Sequence, residues 1–283
     1  MFNKKRSYFS VIVSVILVLS MLFATSCGKA DAPEVTTGAE TESTSSSAGD
    51  VQQTPSGETV TLPEGQTSAT EDVSTEAAPA LPEDIEGIVA LFNESANRIK
   101  TEATKVTKNF EKRYNDPSKL IVPDALMSTA DKMMSTFMKD DTDPIVYATK
   151  EEIVAEYIVP DQNYVSKLTA DAVKEAECTD KGDTYEIYIK LKDEKNPTAG
   201  KGVGSVCDVI EAHEIADKAP SMLQEMSTYY YNCTIKVTVD KATGRVTHAV
   251  YSTPLVMHMI VNLFGTHEVQ AGITFTKDYS IEY

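Results

Sequence analysis

The stretch Cys233–Ser252 reads CTIKVTVDKATGRVTHAVYS. Its first half alternates: Cys233, Ile235, Val237 and Val239 fall on one side of an extended chain, and Thr234, Lys236 and Thr238 on the other. Period-two alternation is what a strand with one buried and one wet face requires. Asp240-Lys241-Ala242-Thr243-Gly244 supplies turn residues and Val246–Ser252 returns, so the segment predicts an antiparallel hairpin.

The same period extends in both directions from this hairpin. Downstream, Leu255–Phe264 forms a further strand, and Ile273, Phe275, Tyr279, Ile281 and Tyr283 alternate with polar residues to the chain end. Upstream, Tyr185, Ile187, Ile189 and Leu191 alternate with charged residues, after a turn at Asp180–Asp183 and a partner strand around Val173–Thr179. Strands joined by short turns make an antiparallel meander. Leu255–Phe264 departs from the alternation. Leu255, Met257, Met259, Val261 and Leu263 share one face, while Val256, His258 and Ile260 share the other, so both faces call for cover. Two readings follow: a central strand sandwiched between layers, or a wall of an apolar cavity. In the second reading Met257, His258 and Met259 are the candidate ligand-binding residues, with the methionines as adaptable lining.

Ahead of the strands the period becomes helical. Ile85, Ile88, Val89, Phe92, Ala96, Ile99, Ala103, Val106, Phe110 and Tyr114 step by three or four. The spacing predicts one helix over Asp84–Arg113, stopped by Asn115-Asp116-Pro117, with a break into a strand after Lys100 as the alternative because Thr101, Thr104, Val106 and Thr107 are β-branched. A second helix is expected from Pro123 through Phe137, carrying Met127, Met133 and Met134, with Met138 just beyond. A third opens at Thr149, where Thr149 and Glu152 have capping-box spacing, and closes before Pro160. A further helix is expected from Ser205, with Val206, Val209, Ile210 and His213 on one side, kinked or restarted at Pro220 and ending near Ser227.

The first 82 residues follow other rules. Lys4, Lys5 and Arg6 precede an uncharged run from Val11 to Ala24, which is shorter than the roughly 20 residues a membrane span needs. It ends at Ala24-Thr25-Ser26-Cys27. This arrangement resembles the lipobox of bacterial lipoproteins, although Ala24 stands where that family more often has Leu. The resemblance implies a signal peptide over 1–26, cleavage by signal peptidase II, and a diacylglycerol on the Cys27 thiol. Gly28–Pro82 is dominated by Ser, Thr, Glu, Ala, Pro and Gly, with ten acids against Lys29 alone. Residues 27–82 therefore read as an acylated cysteine and a disordered tether, and 83–283 as one globular domain.

The acyl anchor, the early amphipathic helix and the long meander with its hairpin at Val239–Gly244 together resemble the half-barrel lipoproteins and lipoprotein carriers of bacterial envelopes. That resemblance implies an α+β fold in which N-terminal helices pack on a curved antiparallel sheet, with space between for an acyl chain or another apolar molecule. It rests on no residue motif and transfers no site.

Chemistry leaves few marks. The net charge of −17, without a basic stripe, argues against nucleic acid and against an electrostatic grip on anionic lipid. Membrane contact is expected through the N-terminal lipid only, on the extracytoplasmic face of the cell membrane. Common nucleophile, zinc-protease, EF-hand and Walker motifs do not occur, and no cofactor is implied. Cys178, Cys207 and Cys233 allow one disulfide of undetermined pairing or three buried thiols. His248, His258 and His267 lie on or beside successive strands, a weak hint of metal spacing that no acid pattern joins. Gly200, Gly202 and Gly204 read as a mobile connector or as an anion-cradling loop ahead of a helix. Asp140, Asp141 and Asp143 read as a solvated turn or a weak calcium site. The leading expectation is a non-catalytic surface lipoprotein that binds an envelope ligand or partner, including an apolar molecule. The alternatives are an envelope enzyme with a motif-free site and an interaction module without a small ligand.

Overall fold

The structure, a computed structural model, describes residues 81–124, 127–128, 138–216, 223–262 and 265–283. The fold is sheet-dominated. In chain order the elements are α1 (Ile85–Glu102), β1 (Lys105–Ile121), β2 (Ile145–Tyr147), α2 (Lys150–Glu156), β3 (Val173–Asp180), β4 (Thr184–Leu191), β5 (Glu194–Lys195), α3 (Ala212–Ala216), β6 (Leu223–Tyr230), β7 (Thr234–Asp240), β8 (Arg245–Asn262) and β9 (Thr266–Glu282). Among the described residues one antiparallel sheet holds all nine strands, in the order β2-β1-β9-β8-β7-β4-β3, with β6 pairing β8 and β5 pairing β6. The antiparallel α+β expectation is met in this coarse form. The run of N-terminal helices is not: among the described residues one long helix precedes the strands, and the short helices lie between them.

The hairpin at Asp240–Gly244 forms as its sequence requires. Val237 pairs with Ala249 and Asp240 with Arg245, and Gly244 takes the positive φ (66°) that the turn needs. Strand β8 then continues for 18 residues, so Val246–Ser252 and Leu255–Phe264 are one strand as far as Asn262, with Leu263 and Phe264 outside the described residues. Its first half pairs with β7 and its second half with β6, and both run antiparallel to it. Strands β6 and β7 therefore lie head to tail along one edge of β8, interrupted at 231–233. Pro254 sits at that interruption. It has no N–H to offer the edge, and its carbonyl accepts from Tyr231 N at 3.1 Å.

One side of the sheet carries the core. Ile187, Ile189, Ile235, Val237, Ala249, Tyr251, Leu255, Phe275 and Tyr279 face it from neighbouring strands, and all are buried. Helix α1 covers part of this side with Ile88, Val89, Phe92, Ala96 and Ile99. Asp84 caps it by accepting from Gly87 N at 2.6 Å. Asn97 ties it to the following segment, accepting from Val165 N and Ser166 N and donating to the Ser166 carbonyl.

Three sequence expectations change here. The single helix to Arg113 is replaced by its alternative: α1 stops at Glu102, and Thr104 N donates to the Glu282 carbonyl, drawing the chain into the sheet as β1. The helix expected from Ser205 begins instead as a loop with a short 3-10 turn at Gly202–Ser205, where Gly204 packs on the Thr198 carbonyl, and of its described residues only Ala212–Ala216, which includes His213, is α-helical. The helix expected after Pro220 is strand β6. The third expected helix is present as α2 with its full capping box. The second lies almost wholly outside the described residues.

Candidate functional site

Along the second half of β8 the sheet's core side is less fully buried than along the first. Leu255 and Val261 are buried, but every residue from Val256 to Ile260 is only half-buried. Register places two rows of side chains across three strands on that side. Met226 of β6, Met259 of β8 and Val269 of β9 make one row, and Thr228, Met257 and Ala271 make the next. Met226, Met257, Met259 and Val269 are partly buried and pack against the core. Thioether side chains are unbranched and polarizable, so a wall built from them adjusts its shape at small cost.

Thr228 is the polar exception in this wall. Its side chain is 1% exposed, and its hydroxyl has no hydrogen-bond partner. A buried hydroxyl left unpaired costs about 1 to 3 kcal/mol. Its backbone is fixed from the other edge, where Thr228 N donates to Asn196 Oδ1 and Asn196 N donates to the Thr228 carbonyl.

Of the three candidate ligand-binding residues, Met257 and Met259 stand together on this wall. His258 does not, because strand alternation turns it to the opposite side, where its Nε2 lies 3.0 Å from Glu268 Oε1. Sequence reading missed Met226, Thr228, Ala271 and Val269, which join only through strand pairing. His248 also occupies the outer face, with Nε2 3.1 Å from both Asp278 carboxylate oxygens. His267 pairs in register with Val261 and so belongs to the core side. The three histidines do not converge, and no group of metal-binding side chains occurs among the described residues.

A second cluster lies farther along the core side, between β1 and β9. Glu111, 2% exposed, accepts from Arg113 Nη2 at 2.9 Å, Arg113 Nε at 3.0 Å and Lys108 Nζ at 3.2 Å. Burial pushes its carboxyl up, but Lys277, Lys108 and Arg113 together overcome this and hold it below the usual carboxylate range. Asp141 lies 3.5 Å from Lys108, and Asp140 accepts from Arg113 N, so two of the acids fasten their loop to β1, while Asp140 and Asp143 stay exposed to solvent. Lys277 lies 3.8 Å from Asp208. Each of these cations faces an acid, and the cluster reads as a clamp on the core's cover.

The remaining candidates are structural. Glu194 accepts from Val203 N at 2.7 Å, so a carboxylate already holds an amide of the glycine-rich loop. Cys178, Cys207 and Cys233 are free, buried thiols, with no disulfide among them. Cys27 lies outside the described residues. Among the described residues no helix is long and apolar enough to cross a membrane. No protein-family model, curated protein or solved structure matches the chain.

Proposed function

We propose that the protein is a surface-anchored, non-catalytic lipoprotein of the cell envelope. In this reading the diacylglycerol on Cys27 holds it to the membrane, and residues 27–82 tether a domain whose sheet curves as a half-barrel around its ligand. The ligand is an apolar molecule with at least one hydrogen-bonding group. The carrying observation is the methionine wall with a single unpaired hydroxyl inside it, Met226, Met257 and Met259 around Thr228. Ligand sites are mostly apolar with a few placed polar groups, and this wall has that composition.

Native mass spectrometry of the full chain, purified in mild detergent from its own host, tests the reading. An adduct released by organic solvent is expected, and Met259→Lys should lose it by placing a charge in the wall. A domain that is always empty, or an adduct indifferent to Met259→Lys in a variant that still folds, would overturn the assignment.

A further inference from the structure

The outer face of the sheet carries a different feature, independent of the methionine wall. Tyr229 and Tyr231 flank buried Tyr230 at the end of β6, and their rings stack with centroids 6.1 Å apart and planes 12° apart. Tyr229 is 44% exposed. Lys119 closes the stack on the Tyr231 side, its Nζ 3.8 Å from the ring centroid and 2.5 Å from the hydroxyl. At the other end the Tyr229 hydroxyl donates to Asp193 Oδ2 at 3.0 Å, and Asp193 Oδ1 accepts from Asn232 N at 3.0 Å.

The sheet is shaped to hold this stack. Register runs from Tyr229 to Val256, from Val256 to Gly272 and from Gly272 to Asp116, all on the outer face. A Cβ on Gly272 would meet Lys119 Cβ at 2.8 Å and Asp116 Cβ at 3.3 Å. Only glycine at 272 lets the Lys119 stem lie flat across β9 toward Tyr231, while Asp116 Oδ2 steadies the ammonium at 3.4 Å.

We propose that this stack is a carbohydrate-binding site for an uncharged glycan. Both phenol hydroxyls are already engaged and Tyr231 is held between Lys119 and Tyr229, so the outward side of Tyr229 is a fixed apolar face, and a two-torsion aromatic held this way loses little entropy on binding. The groups around them are carboxylates and an ammonium, which accept from and donate to hydroxyls. A saccharide ring has the matching form, with C–H groups on its face and hydroxyls at its edge. A net charge of −17 disfavours nucleic acid and other polyanions at the same surface.

The test uses the purified full chain on an array of neutral oligosaccharides, with hits quantified by calorimetry. Tyrosine fluorescence is a second readout, since the chain has 13 tyrosines and no tryptophan. At least one neutral oligosaccharide should bind, Tyr229→Ala should weaken it at least tenfold, and Gly272→Ala should weaken it by displacing Lys119. Tyr114→Ala, at a more exposed tyrosine on β1, should leave it unchanged, and far-ultraviolet circular dichroism should report folded protein throughout. No neutral hit for the wild type, or equal binding by folded Tyr229→Ala, would overturn the proposal.

Discussion

Glu111 of β1 and Lys277 of β9 are register partners on the covered side of the sheet, among side chains that are otherwise mostly apolar. The pair sits with Lys108 and Arg113, so removing the carboxylate takes away the acid that these three cations share and leaves Lys108 to Asp141 and Lys277 to Asp208. Glu111→Gln should destabilise the domain by about 3 to 5 kcal/mol, read as a lowered urea midpoint at pH 7. The sign of the pH dependence follows from the depressed folded-state pKa. Its stabilisation is fully present above the unfolded value of about 4.3 and is lost as pH falls through the lower folded value. The wild type should therefore lose its advantage over Glu111→Gln on acidification below about pH 4.3. A constant gap would show that folding does not depress the pKa of this carboxyl.

The capping box of α2 gives a smaller expected effect. Thr149 Oγ1 accepts from Glu152 N at 3.2 Å, and Glu152 Oε2 accepts from Thr149 N at 3.1 Å and Ala148 N at 2.9 Å. Thr149→Ala should cost about 1 kcal/mol, and Thr149→Ser should recover most of it. Paired denaturation curves check this, and an equal loss in both variants would point to the methyl group instead.

Why that cap was legible and β1 was not has a physical explanation. A capping box is written in adjacent residues and needs no distant partner. Strand β1 hides its period because its core-facing positions include Lys108 and Glu111, and because the bulge between Lys108 and Phe110 changes the parity of the chain. Val106, Phe110 and Tyr114 meanwhile keep a helical spacing with α1 that the fold does not use. Strand β6 was obscured similarly, since its inward positions include Thr228 and Met226, and both earn their places from partners on β8. The candidate wall was half visible for the same reason. Met257 and Met259 stand in one segment, but Met226 and Val269 reach them only through pairing.

Lys100 yields a test with the opposite pH sense. In the last turn of α1 it is 2% exposed and donates to the Val159, Gln162 and Val154 carbonyls at 2.8, 3.0 and 3.3 Å. Burial lowers its pKa to about 8, against 10.5 for the free side chain. Between these values the unfolded chain binds more protons than the folded one, so this residue makes stability rise with pH. Thiols and tyrosines titrate nearby, and comparison with Lys100→Met cancels their contributions. The gap in stability between wild type and variant should widen by about 2 kcal/mol from pH 8 to 9.5. A gap that stays flat would place the titration of Lys100 elsewhere.

The three thiols differ from reactive cysteines in one measurable way. Burial pushes Cys207 well up and Cys233 to about 12, and the thiolate is the nucleophilic form. Native protein at pH 7.5 should resist iodoacetamide at both positions. Urea without reductant should expose all three thiols to alkylation, Cys178 included, since none is bonded in the fold. Peptide mass spectrometry reads each site separately, and a pair that reacts only after reduction would reveal a disulfide.

The anchor is tested by chemistry that only a thiol performs. Cys27 follows a basic segment, an apolar run of 14 residues and the small residues Ala24, Thr25 and Ser26, the order in which a lipobox cysteine is alkylated. Ser in its place keeps the signal and removes the sulfur that, in the proposed reading, would receive the diacylglyceryl group. Gly28–Pro82 separates that position from the folded domain, so Cys27→Ser should leave the domain's circular dichroism and urea midpoint unchanged. Processing by signal peptidase II should stop, leaving a product held by its uncut signal or released after cutting elsewhere. Either product should fail to incorporate an alkyne palmitate, whereas the wild type should incorporate it. Equal labelling of both chains, or no labelling of the wild type, would show that Cys27 carries no lipid and that the domain reaches its place of work by another route.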